Sequence, residues 1–143
     1  WDLTDIPTDA NVVEATLYMY QVDSDVDSSY DVGVHKITGV NPTITTCTWN
    51  TYDGTNSWTG GADGGQSDIA AAEDTQVVDL TDDEYKTWDV TDMVADWVVN
   101  PASNYGMLVN SDDDATIDSY RFFASSDATN ASTRPKLIVT YSD

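Results

Sequence analysis

The sequence predicts an all-β fold, a jelly-roll-like β-sandwich with one short helix at about residues 91–99. Three observations carry this. Apolar and polar residues alternate with the period of two that a strand with one buried face requires. Clusters of Asp, Asn, Ser and Gly punctuate the chain at short intervals, and only one segment changes to helical spacing. With 143 residues the chain fits a single domain, 1–143, and its 40% hydrophobic content, with 5 Trp and 8 Tyr, supplies apolar area for a core. No internal repeat, linker or low-complexity segment interrupts it.

The elements follow in order. Residues 12–22, VVEATLYMYQV, alternate so that Val13, Ala15, Leu17 and Met19 share one face of a strand, and Glu14, Thr16, Tyr18 and Tyr20 the other. Residues 23–31 are turn chemistry and 32–37 alternate again, which predicts a hairpin with an acidic tip. ITTCTWN at 44–50 reads as a further β-rich piece. Residues 51–68 hold most of the glycine and read as a long exposed loop that carries Tyr52 and Trp58. Short strands are expected at 76–80 and 86–90.

At 91–99 the rhythm changes: Met93, Val94, Trp97 and Val98 recur at helical spacing, Thr91 is positioned to cap the first turn, and Asn100-Pro101 ends the helix. Strands resume at 105–110, 117–124 and 136–141. Trp49, Trp88 and Trp97 fall on predicted strands or the helix and are expected in the core.

Charge narrows the function. Five Lys plus Arg stand against 26 Asp plus Glu, a net charge of −21, which repels phosphate backbones and anionic lipid and excludes nucleic acid as a partner. No apolar run approaches the roughly 20 residues needed to span a bilayer, so membrane insertion is not expected. The chain starts at Trp1 with neither an initiator Met nor a basic leader, which reads as a processed or trimmed end. Cys47 is the sole cysteine, so no intrachain disulfide forms.

Catalysis finds little support. His35 is the sole histidine, lies in a predicted strand, and has no Gly-x-Ser-x-Gly elbow to serve. One Cys and one His do not make a structural zinc site. Carboxylate pairs carry no signal where 26 acids guarantee some pairs in any fold. We therefore read the chain as a non-enzyme.

All but three of those acids are aspartate, the exceptions being Glu14, Glu73 and Glu84, and Asp is both a turn residue and a calcium ligand. Three clusters are candidate calcium sites: Asp23, Asp25 and Asp27; Asp112, Asp113 and Asp114 with Asp118; and Asp53, Asp63 and Asp68 around the glycine loop. The first alternates like the start of an EF-hand loop. Ser28 at position six and Val34 at position twelve, with no flanking helices, reject that motif. A solvated acidic coat is the alternative for every cluster. Loop aromatics stack on sugar faces, which makes Tyr52 and Trp58 candidates for carbohydrate binding. Asn130-Ala131-Ser132 is the one N-glycosylation sequon.

Five segments in order, WDLTDIPTDANVVEATLYMY (1–20), TTCTWNTYDGTNSWTGG (45–61), WDVTDMVADWV (88–98), NYGMLV (104–109) and FFASSDATNASTRPKLIVTY (122–141), give the chain a further character. Along nearly its whole length it resembles the DNRLRE family of secreted β-sandwich modules, which includes carbohydrate-binding modules and repeats of surface proteins. The resemblance implies a jelly-roll sandwich, an extracellular or cell-surface location, and a binding or structural role without catalysis. It assigns no calcium ligands to numbered positions.

Members of that family usually carry a further strand ahead of the aromatic-Asp-Leu motif, where this chain begins. An unpaired sandwich edge would follow, to be filled by upstream residues or by a strand from a neighbouring chain, with Trp1, Asp2 and Leu3 as the assembly segment. The leading expectation is a non-catalytic structural subunit of an extracellular surface assembly, a filament or adhesive layer, forming a homo-oligomer or head-to-tail polymer stabilised by calcium. The alternative is a carbohydrate-binding module whose partner is a polysaccharide.

Overall fold

In the computed structural model, which describes residues 1–25, 29–111 and 120–142, seven strands form two antiparallel sheets with one α-helix between them in sequence. The strands are β1 (Asn11–Asp25), β2 (Ser29–Ile37), β3 (Ile69–Asp79), β4 (Glu84–Asp89), β5 (Met107–Asn110), β6 (Tyr120–Phe123) and β7 (Lys136–Ser142); the helix is α1 (Thr91–Val99). The all-β sandwich is as the alternation predicts.

β1 is the axis of the first sheet. β4 pairs with its residues 16–21 on one edge. The other edge is shared, β7 lying opposite residues 11–18 and β6 opposite residues 21–25. The second sheet runs β3-β2-β5. Both edges of β1 are thus taken, and β2 lies in the other sheet. The predicted hairpin is therefore corrected: the acidic connection crosses from one sheet to the other. Alternation identifies a strand and its buried face but not its partner.

The inner faces meet in a core of Ala15, Leu17, Val32, Val34, Val78 and Trp88, to which α1 adds Met93, Val94, Trp97 and Val98. The Trp88 indole N–H donates to the Val32 carbonyl at 2.8 Å, tying one sheet to the other through a satisfied buried donor. Gln21 is fully buried; its amide donates to the Asp79 carbonyl and to Asp82 Oδ1, both at 3.0 Å.

Three local expectations are corrected. A register shift between Val12 and Glu14 against β7 turns Val12 to the core and leaves Val13 exposed, because a bulge breaks the period of two. Residues 44–50 make turns instead of a strand, closed by Thr46 and Cys47 N–H donating to the Thr43 carbonyl at 2.9 and 2.8 Å. Thr91 does not cap its helix. Its hydroxyl accepts from Ala15 N–H at 3.0 Å, while the helix's own first N–H groups go to Asp89 Oδ1 (Thr91, 3.0 Å) and Glu73 Oε1 (Met93, 2.8 Å).

The two flanks of the sandwich differ. At the β3/β4 flank Val78 and Trp88 are fully buried, and Asp89 N–H donates to Asp74 Oδ2 at 2.9 Å across the gap. Among the described residues the flank of β5, β6 and β7 is less tightly covered. Met19, Met107, Val109, Phe123, Leu137 and Val139 are only partly buried there. A cleft of 270 Å³ lies between Val32 and Val109 on one sheet and Met19 and Phe123 on the other.

Candidate functional site

The connection from β2 to β3, residues 38–68, folds over the outer face of the second sheet, and Asp68 is its anchor. Only 1% exposed, its carboxylate accepts from Thr59 N–H at 2.8 Å and from the Thr59 hydroxyl. Its carbonyl takes the N–H groups of Thr38 (2.8 Å) and Gly39 (3.0 Å). Asp53 closes an Asx turn, accepting from Thr55 N–H at 2.9 Å and Asn56 N–H at 2.6 Å. Asp63 does the same for Gly65 and Ser67, both at 3.0 Å. Hydrogen bonds from Asn56 hold the Asp53 carboxyl below the usual range, and those from Ser67 and Gly65 do so for Asp63. All three carboxylates accept hydrogen bonds from the loop's own backbone, an arrangement that spacing alone does not reveal.

The tryptophans exchange their expected places. Trp58, read as a ligand contact, is 6% exposed, and its indole N–H donates to the Thr48 carbonyl at 2.8 Å. Tyr52 meets it edge-on at 6.1 Å, so the pair forms the loop's own small core and offers no open ring pair to a sugar. Trp49, read as core, is 64% exposed. One side of its indole lies on Gly64, where an added Cβ would fall 2.5 Å from the ring, and Gly64 N–H donates to the Trp49 carbonyl at 2.9 Å. Gly64 has φ +67°, a conformation that favours glycine. Trp49 and the exposed Ile44 rim a groove of 260 Å³ floored by Trp58, Met107 and Leu108.

The remaining candidates are placed as follows. Asp27, Asp112, Asp113, Asp114 and Asp118 lie outside the described residues. Asp23 and Asp25 end β1; Asp23 Oδ2 accepts from the Tyr120 hydroxyl at 3.3 Å, and burial together with the charges of Asp23 and Asp25 pushes that phenol up. Among the described residues no three His, Cys, Asp or Glu side chains form a group fit to hold a metal ion. Leu3 and Ile6 pack against the core, and the Trp1 carbonyl accepts from Asn104 Nδ2 at 2.9 Å. A cavity of 270 Å³ separates this segment from Leu137, Val139 and Tyr141. Asn130 is exposed, its side chain accepting from Ser132 N–H at 3.1 Å. His35 is buried with Nδ1 2.9 Å from the Ala70 carbonyl, a structural position.

The few cations are spent within the chain. Lys36 pairs with Asp96 at 3.0 Å, and Lys86 with Asp79 at 2.7 Å and with Glu84. Arg121 and Arg134 donate to backbone carbonyls. Lys136 sits 4.1 Å from the Tyr85 ring centroid and 5.0 Å from that of Tyr18. No described helix is long and apolar enough to cross a membrane. No family model matches the chain, and no curated protein matches it.

Proposed function

We propose that the chain is a non-catalytic structural subunit of an extracellular cell-surface assembly, a filament or adhesive layer built from copies of itself. The observation that carries this reading is the flank of β5, β6 and β7. Where the β3/β4 side buries its core side chains fully, this flank leaves those of both sheets half-buried, beside strands that pair on one edge only among the described residues, a template for pairing with another chain. The likeness to DNRLRE surface modules and the accessible sequon at Asn130 support the location.

Packing copies with a charge of −21 requires counter-ions, and we assign calcium that part as a bridge across the aspartate coat. Electron microscopy of the purified protein in millimolar calcium is expected to show polymers that shorten in excess chelator. Isolated particles in both conditions would sink the assembly reading.

A second reading has its own observation. The Trp49 indole, backed by Gly64 and open on its other side, is the geometry that stacks on a sugar ring, and a neutral polysaccharide is not repelled by the coat. Trp49→Ala should then abolish retention on insoluble polysaccharide, whereas Trp58→Ala should instead loosen the loop. Equal retention of Trp49→Ala and the parent would remove this site.

A further inference from the structure

Residues 1–6 lie over the core between α1 and β7, and they are seated loosely. Leu3 and Ile6 pack against the core cluster, but a cavity of 310 Å³ lies between the segment and Trp97, Val98 and Pro101, and the cavity of 270 Å³ lies between it and β7. Side chains that border voids forgo part of their packing contacts. The segment's polar groups bond mostly to one another: Thr4 N–H and hydroxyl donate to Asp2 Oδ1 at 3.1 and 2.7 Å, and Ile6 N–H donates to the Leu3 carbonyl at 3.0 Å. One hydrogen bond, from Asn104 Nδ2 to the Trp1 carbonyl at 2.9 Å, ties residues 1–6 to the rest of the described chain.

Two further features weaken the seat. Trp97, a wall of the larger cavity, is 1% exposed, and its indole N–H meets no acceptor among the described residues. Asp2 lines the same cavity with Val98 and Pro101, where α1 ends, and the C-terminal end of a helix disfavours a negative charge. The net charge of −21 adds a general repulsion on Asp2 and Asp5. We propose that residues 1–6 form a strap, latched by Asn104, that lifts from the sandwich without global unfolding. The strand ladders of both sheets run without this segment, so lifting it breaks none of the pairing that holds the domain. Lifting bares two matching apolar surfaces, the side chains of Leu3 and Ile6 and the seat they leave between α1 and β7.

The experiment is hydrogen exchange of the indole N–H groups, read by nuclear magnetic resonance in deuterium oxide on the parent chain and on Asn104→Ala. Trp88 Nε1–H, bonded to the Val32 carbonyl inside the core, reports opening of the sandwich, and Trp97 Nε1–H reports lifting of the strap. Trp97 should exchange faster than Trp88. Asn104→Ala should speed Trp97 about fivefold, the worth of one hydrogen bond, and leave Trp88 unchanged. Equal rates for the two indoles, or a Trp97 rate that ignores Asn104→Ala, would overturn the strap. Thiol labelling reads the same opening from the seat: on a Cys47→Ala background, which removes the sole cysteine, Val98→Cys should be alkylated faster than Val78→Cys at the β3/β4 flank and should gain the same factor from Asn104→Ala. Val98→Cys reacting no faster than Val78→Cys would contradict the proposal.

Discussion

Asp68 shows how a residue type that looks like a ligand acts instead as a bolt. Fully buried, it holds Thr59 through its carboxylate and the Thr38–Gly39 backbone through its carbonyl, clamping both ends of the long loop at one point. Asp68→Ala strands the Thr59 N–H and hydroxyl without an acceptor, and the expected cost is about 1–3 kcal/mol in urea unfolding. A loss below about 0.5 kcal/mol would show the loop to be held elsewhere. Gly39→Ala gives a parallel check, since its Cβ would fall 1.9 Å from Asp68 Oδ1 and 3.0 Å from Asp68 Cα. It should destabilise the loop in the same assay. At this scale the sequence was least legible. Composition put aromatics and aspartates in the loop, but which indole turns out and which carboxylate turns in depends on Gly64 and on Thr59, contacts that no spacing rule contains.

Helix α1 was legible to the residue, because Met93, Val94, Trp97 and Val98 recur at helical spacing and Pro101 forbids its continuation. Its cap was not, because the acceptor comes from another strand: Glu73 on β3 takes the Met93 N–H. Glu73→Ala should therefore destabilise the fold by about 1 kcal/mol, the ordinary cost of a lost cap, whereas Thr91→Ser, which keeps the hydroxyl that serves Ala15, should cost less. Comparable urea midpoints for Glu73→Ala and the parent would contradict the assignment. Strand identities were legible from alternation, and their partners were not: the bulge after Val12 and the crossing from β1 to β2 follow from the filled edges of β1.

For the whole molecule, charge governs stability as well as assembly. Falling pH from neutrality relieves repulsion as carboxylates begin to protonate. Below that range an opposite term takes over. Asp79, hydrogen-bonded to Lys86, is lowered from 3.8 to about 2, and Asp53, Asp63 and Asp89 are lowered by their own hydrogen bonds. A carboxyl whose folded value is depressed stabilises the fold above its unfolded value and loses that contribution as pH falls through the folded one. Melting temperature should therefore peak at about pH 4–5 and fall steeply toward pH 2. A melting temperature that keeps rising to pH 2 would show that repulsion alone decides.

The fold class came through from pattern, because period and turn chemistry are properties of the chain itself. The less covered flank did not, since it depends on which strands end up as edges. That flank is the centre of this account, and the native light-scattering mass in millimolar calcium across rising protein concentration tests it most directly. The account predicts a mass that climbs with concentration to many times 15.6 kDa. A constant 15.6 kDa at every concentration would contradict it.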